Sequence, residues 1–180
     1  MSSPPTLRLA TVDDLDRMSF VMRAAMLQLS AGFYTDKQAE SASKFLCVPD
    51  PMLILDGTSY VIEYGGDLIA VGAWSTRQKL FTGSEDQELL TERVIPGLDS
   101  ARLRAFFVAP AHTNQGLGRL LYKTCHRAAF SMGYTDFELV ATLPGVPFYE
   151  RLGFEGMGSV EIDLPDGTLL PCVPMSRSIL

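Results

Sequence analysis

Two spacings of apolar residues mark out the elements of this chain. Leu7 and Leu9 flank Arg8 within residues 6–10, the alternation of a short strand. From Thr11 the spacing changes. Val12, Leu15, Met18, Val21, Met22, Ala25 and Leu29 recur with the 3.6-residue period of a helix, with Thr11 as its cap, Asp13 and Asp14 in its first turn and Gly32 at its end. Thr35, followed three residues later by Gln38, forms a capping box for a second helix that turns Ala39, Ala42, Phe45 and Leu46 inward and stops at Pro49 and Pro51. Residues 59–64 and 67–74 flank Gly65-Gly66 as a hairpin. Residues 77–99 are polar and long, with one helical turn expected at Leu89-Leu90. A loop of that length in a compact domain is commonly functional. A strand over 101–108 follows, then a helix over 115–132, a strand over 137–141 and a short helix near 148–152. Two last strands, over 154–164 and 169–179, join across Asp166-Gly167. The order β-α-α-β-β-β-α-β-α-β-β predicts an α/β fold: a mixed, mostly antiparallel sheet flanked by helices, in one domain over 1–180 with a loose arm at 1–5.

Composition narrows the function. Lys and Arg number 15 against 21 Asp and Glu, so the net charge is −6, which disfavours generic nucleic-acid binding. No apolar run is long enough for a bilayer, and no secretory leader is recognisable, so a cytoplasmic protein without a membrane partner is expected. Cys47, Cys125 and Cys172 are scattered, with no partner at metal-ligand spacing. His112 and His126 have none either, so packing thiols and no metal are expected. Cys125 and His126 are neighbours on a helix and point in different directions, which disfavours a catalytic pair.

The chemistry concentrates in Val108-Ala109-Pro110-Ala111-His112-Thr113-Asn114-Gln115-Gly116-Leu117-Gly118-Arg119. A strand ends at a proline, and a polar loop enters a helix through Gly-x-Gly. Glycine lets backbone approach a ligand, and the first N–H groups of a helix have no partner within it, so this junction suits an anion. Gly118 is followed by Arg119-Leu120 rather than Lys-Ser/Thr, and Leu121 stands where a dinucleotide fingerprint wants Gly or Ala, so ATP and NAD readings fail on spacing. Arg119, Lys123 and Arg127, four apart, put three cations on one helix stripe, which suits a small ligand with several phosphates or a merely solvated face.

With these residues in view the chain resembles the GNAT acetyltransferase superfamily. The loop resembles that family's Arg/Gln-x-x-Gly-x-Gly/Ala motif after a strand ending Val-x-Pro. Phe148-Tyr149-Glu150-Arg151-Leu152-Gly153-Phe154, reached through Ala141 to Pro147, resembles its second motif. The opening Leu7-Arg8-Leu9-Ala10-Thr11 and the closing Met175-x-Arg177 fit as well. The resemblance implies acetyl-CoA as co-substrate. The main chain of Phe106, Phe107 and Val108 would pair with the pantetheine arm, and the N–H groups of Asn114, Gln115, Gly116, Leu117, Gly118 and Arg119 would hold the pyrophosphate. Thr142 would touch the coenzyme where many members have Asn, and Tyr149 would be the general acid beside the sulfur. Thr113 stands where the family has Arg or Gln, so the pyrophosphate would rest on backbone amides and Arg119.

The implied activity is acetyl transfer to a primary amine of a small molecule or peptide, by direct attack in a ternary complex. A CoA- or acyl-CoA-binding sensor without transfer is the alternative. A protonated amine must lose its proton before attack. Glu63, Asp99, Glu138, His112 and water are the open choices of base, and an N–H near Val108 is the expected oxyanion donor. The acidic stretch Glu85–Glu88 with Glu92 would attract a cation or be solvated, and Phe33, Tyr34 and Trp74 would line an acceptor pocket or the core. An exposed final strand is expected to allow a homodimer. The acceptor's identity and any preference for a longer acyl chain stay open.

Overall fold

The computed structural model describes residues 4–180. Residues 1–3 of the expected arm lie outside the described part, and Pro4 and Pro5 are exposed and irregular. Eight strands, β1 (Thr6–Leu9), β2 (Ser59–Tyr64), β3 (Asp67–Ser75), β4 (Ala101–Val108), β5 (Asp136–Thr142), β6 (Glu155–Gly156), β7 (Val160–Asp163) and β8 (Leu169–Ser178), form one sheet. Their order is β1-β2-β3-β4-β5-β8, with β6 and β7 both pairing the outer edge of β8. Only β4 and β5 run parallel; the other pairings are antiparallel. The helices are α1 (Leu15–Leu29), α2 (Asp36–Phe45), α3 (Pro51–Leu55), α4 (Glu85–Glu88), α5 (Leu117–Ser131) and α6 (Val146–Arg151). The mixed α/β architecture is the one the hydrophobic pattern predicts.

Alternation along the strands distributes the core to both faces of the sheet. Val61 and Val71 face α1, through Met18, Met22 and Met26, while Ile62 and Ala70 face α5 through Leu117 and Leu121. Both faces being covered, β3 is buried from Leu68 to Ser75. Gly72 makes this packing close: a Cβ there would meet the Phe106 ring at 3.2 Å and Leu121 at 3.3 Å. Tyr34 and Trp74 belong to the core, while Phe33 is exposed. All three cysteines are buried and free, and burial pushes Cys47 up to about 12 and Cys172 up to about 11, which suits packing thiols.

Several local expectations need correction. A 3-10 turn, Val12–Asp14, precedes α1, so Val12 falls off the inward stripe and is exposed, as is Leu29 at the helix end. Asp50 caps the unforeseen α3 by accepting the Met52 N–H at 3.0 Å, with Pro51 in its first turn. The helical turn in the long loop covers Glu85–Glu88, and Leu89 is exposed beyond it. The strand expected over 154–164 is broken between β6 and β7, where Gly158 takes φ +82°. The last strand is not a free edge, since β8 pairs β5 on one side and β6 and β7 on the other. Pairing of a second copy along β8 is therefore closed off.

Candidate active site

The centre of the sheet opens because β4 and β5 part company. They pair only at Ala101–Phe137 and Arg102–Glu138, and beyond Arg102 the β5-facing peptide groups of β4 have no ladder partner. A bulge drives the separation. Between Val71–Phe107 and Ala73–Arg104, β4 advances three residues while β3 advances two, and Ala105 takes φ +55° to absorb the extra one. Ala109 donates to Ile69 O at 2.8 Å, and the alternation of an antiparallel ladder then sends the Val108 N–H to the opposite, open side.

A cleft of about 360 Å³ occupies the opening. The expected residues Phe106, Phe107, Val108, Thr113, Asn114, Gly116, Leu117, Gly118, Arg119 and Tyr149 all line it. Gln115 is exposed outside it, and Thr142 lines two adjoining cavities instead. Leu29, Gly145, Phe148, Arg151 and Leu152, to which the sequence assigned no role in binding, also line the cleft, as does His112. Leu29 carries its own signal: a leucine in helical register that the core leaves exposed.

At one end of the cleft the chain folds into an amide cradle. Asn114 and Gly116 both take left-handed backbone, with φ +60° and +80°, and Gly116 caps α5. The first intrahelical bond is Leu120 N–H to Gly116 O at 3.0 Å. Among the described residues, the N–H groups from Asn114 through Arg119 donate to no acceptor of the chain. Asn114, Gln115, Gly116 and Arg119 are exposed. The Thr113 hydroxyl is turned back onto Pro110 O at 3.2 Å, so it offers no donor to an anion. Arg119, Lys123 and Arg127 form no ion pair among the described residues, and all three are exposed. The two glycines differ in purpose. Gly116 has open space around it, whereas a Cβ on Gly118 would meet the Phe148 ring at 3.0 Å.

Tyr149 sits on α6 at the junction of the cleft with a smaller cavity, about 110 Å³, that runs toward α1 and the long loop. Its ring packs edge-on to Phe148, Phe154 and Phe106, at 5.1, 5.7 and 6.4 Å between centroids. Burial pushes its hydroxyl well above the usual phenol range, so it stays protonated at neutral pH.

The base candidates are dispersed. Glu63 is held by Arg8 and Arg17 at the β1 end of the sheet, and these partners keep its carboxyl below the usual range. Asp99 accepts the Ile95 N–H at 2.8 Å, and Glu138 pairs with Arg102 at 2.5 Å where β4 and β5 still touch. None of these three lines a cavity of the opening. His112 does, but beside the amide cradle, edge-on to Tyr64 at 5.9 Å. The Leu143 N–H is taken by the Tyr34 hydroxyl at 2.9 Å, whereas the Val108 N–H is among the β4 groups that face the opening. No cluster of His, Cys, Asp and Glu fit for a metal occurs among the described residues, and no helix there is long and apolar enough to cross a membrane.

Known proteins share this fold. A GCN5-related N-acetyltransferase structure from Rhodopseudomonas palustris superposes with a TM-score of 0.71 at 16% identity, covering 99% of this chain and 98% of that one. The PaiA N-acetyltransferase of Thermoplasma acidophilum, solved with coenzyme A, gives 0.64 at 14% identity, with 98% and 99% covered. The yncA protein of Salmonella typhimurium, solved with acetyl-CoA, gives 0.61 at 17% identity, with 99% and 95% covered. At such identities the likeness is one of fold. The sequence profile of the Acetyltransferase (GNAT) family matches residues 23–154, most of the chain, and with the splayed β4–β5 pair and the cradle before α5 this protein belongs to that family.

Proposed function

We propose that the protein is an acetyl-CoA-dependent N-acetyltransferase that acetylates a primary amine by direct attack within a ternary complex. The observation that carries the reading is the run of unpaired, largely exposed amides at 114–119, set at the mouth of a cleft whose wall is an unpaired strand edge. Unpaired backbone donors at a helix N-terminus bind an anion without any side chain, so Thr113 in place of a basic residue does not remove the site. Two of the similar structures hold coenzyme A or acetyl-CoA.

Bound acetyl-CoA would supply the thioester, with its pyrophosphate on the 114–119 amides and its arm along Phe106–Val108. The Val108 N–H stabilises negative charge that develops on the acetyl oxygen, which is worth most in a site shielded from water. Tyr149 donates its proton to the departing sulfur; its raised pKa keeps that proton in place at working pH. Glu63, Asp99 and Glu138 are engaged elsewhere and His112 lies beside the amide cradle, so water is the acceptor we assign to the amine's proton. That same dispersal of carboxylates is what favours the second reading, a CoA or acyl-CoA sensor with no transfer.

Melting curves with acetyl-CoA, NAD and ATP separate coenzyme binding from other nucleotides. A hundredfold excess over Kd stabilises by about 2.7 kcal/mol, and only acetyl-CoA should do so. Free-thiol release that depends on added amine separates enzyme from sensor. An acetyl-CoA shift without thiol release across a broad amine panel would leave the sensor.

A further inference from the structure

The smaller cavity beyond Tyr149 contains a buried cation whose pairing is incomplete. Arg104 stands on β4 at the start of the bulge and is 4% exposed. It donates to Asp50 Oδ2 at 3.0 Å and to Thr82 Oγ1 at 3.2 Å. Its Nε–H is shut off from solvent and has no partner. A guanidinium carries five N–H donors and is not deprotonated in proteins, so the remaining donors ask for an acceptor. Asp50 has little left to give. Its Oδ1 accepts the Met52 N–H, and Oδ2 also faces Lys79 Nζ at 3.4 Å.

The buried carboxylate beside the arginine is shared with a second cation. Arg104 and Lys79 are both largely buried and share the single buried carboxylate of Asp50, while the Glu88 carboxylate that holds Lys79 at 2.6 Å is half exposed at the surface. Burial would raise Asp50, but Arg104 and Lys79 outweigh it and hold its carboxyl below the usual range. Burial lowers Arg104 by more than Asp50 restores. Lys79 has Glu88 as its closer partner, so the two cations are matched by two carboxylates, and what Arg104 lacks is a partner for its Nε–H. Asp50, Thr82 and Thr142 also line the cavity. The rest of its wall is mainly apolar, with Met22, Met26 and Phe81 among the side chains, and it shares Phe106, Phe107, Gly145 and Tyr149 with the coenzyme cleft.

We propose that this cavity receives the carboxylate of the acceptor, held by Arg104, so that the substrate is a small amino acid with an apolar skeleton. The proposal rests on the transferase reading for the identity of the occupant as acceptor. With the carboxylate at Arg104, the amine reaches back toward Tyr149 and the open side of β4. Asp50 and Thr82 fix the plane of the guanidinium, and a carboxylate fits its planar fork better than any point anion.

The test compares matched triplets: apolar α-amino acids and ω-amino acids of two to six carbons, each with its amide and its descarboxy amine. Melting shifts and thiol release are read with wild-type protein and with Arg104→Met. The acid should outperform both analogues by about tenfold or more, the scale of one charge-assisted hydrogen bond in a buried site. Arg104→Met should erase that preference while its acetyl-CoA titration stays that of wild type. The wild-type comparison needs no variant, so a misfolded Arg104→Met leaves it decisive. Equal response to acid and amide, a preference that survives Arg104→Met, or no acid-dependent shift at all would overturn the proposal. Thiol release with no preference for the acid removes the carboxylate site and keeps the transferase. An acid-dependent shift without thiol release keeps the carboxylate site and removes the transferase.

Discussion

Gly116 and Gly118 look alike in the sequence, and the structure gives them unlike tasks. Gly116 supplies the left-handed backbone that caps α5, with free space where a side chain would stand. Gly118 has ordinary backbone and makes room for the Phe148 ring. Gly116→Glu therefore carries two penalties, backbone strain of about 1–2 kcal/mol and a negative charge beside the phosphate site. Coenzyme binding measured by calorimetry should be lost while the protein still folds; unchanged affinity would remove the cradle from the account. Tyr149→Phe keeps the ring packing against Phe148 and Phe154 and removes only the hydroxyl. If the phenol acts as the thiolate departs, kcat should fall by about 10- to 100-fold with KM little changed. An unaltered kcat would reduce Tyr149 to packing. At this scale the sequence announced types of residue and not their orientations. Thr113 could be read as a poor phosphate ligand from its side chain alone, but its bond to Pro110 O depends on the local turn. Arg104 looked like any polar residue on a strand until the bulge and the long loop enclosed it.

Elements whose signal is periodic or local were legible in the chain. The capping box at Thr35 and Gln38 forms both of its bonds, at 3.1 and 3.2 Å, and Gly65-Gly66 takes positive φ at both positions as the hairpin requires. Where one strand serves two neighbours, the pattern gave no warning. The bulge in β4 depends on the register with β3, and its consequence, the parting from β5, depends on a third strand. The start of α1 has a similar long-range component. Asp14 closes a cap by accepting the Thr11 N–H at 2.8 Å, as a local reading would suggest, but it also receives Arg8 of β1 at 2.7 and 2.9 Å. The Arg8 hydrogen bonds hold its carboxyl far below the usual range in the folded state. Its contribution to stability is thus present above the ordinary carboxylate pKa and is lost as pH falls through the depressed value. Asp14→Asn should cost about 2–4 kcal/mol in urea unfolding at pH 7, since it strands the partners of a buried charge. The gap between wild type and variant should narrow below about pH 4, where the unfolded carboxyl takes up its proton. A gap independent of pH would contradict the role given to the ion pair.

For the molecule as a whole, the sheet does two things at once. It buries its two faces under α1 and α5, and it opens at its centre to make a passage from the amide cradle, past Tyr149, to the Arg104 cavity. Family membership and fold class could be read from two motifs in order, because each records a constraint on local backbone: the left-handed turn before α5 and the tight entry to α6. The Arg104 cavity could not, because it is assembled from α1, the start of α3, the bulge and the long loop, which lie far apart in the chain. The free edge expected at the C-terminus disappears for a comparable reason, since β6 and β7 fold back onto β8. The claim on which the coenzyme reading, and with it the chemistry, depends is that peptide N–H groups at 114–119 grip a diphosphate. A nitrogen-15 amide titration with coenzyme A reads those groups one by one. The account predicts that the largest shifts and the strongest slowing of hydrogen exchange fall on residues 114–119, with a second set at 106–108; saturation by coenzyme A that leaves those amides unmoved would contradict it.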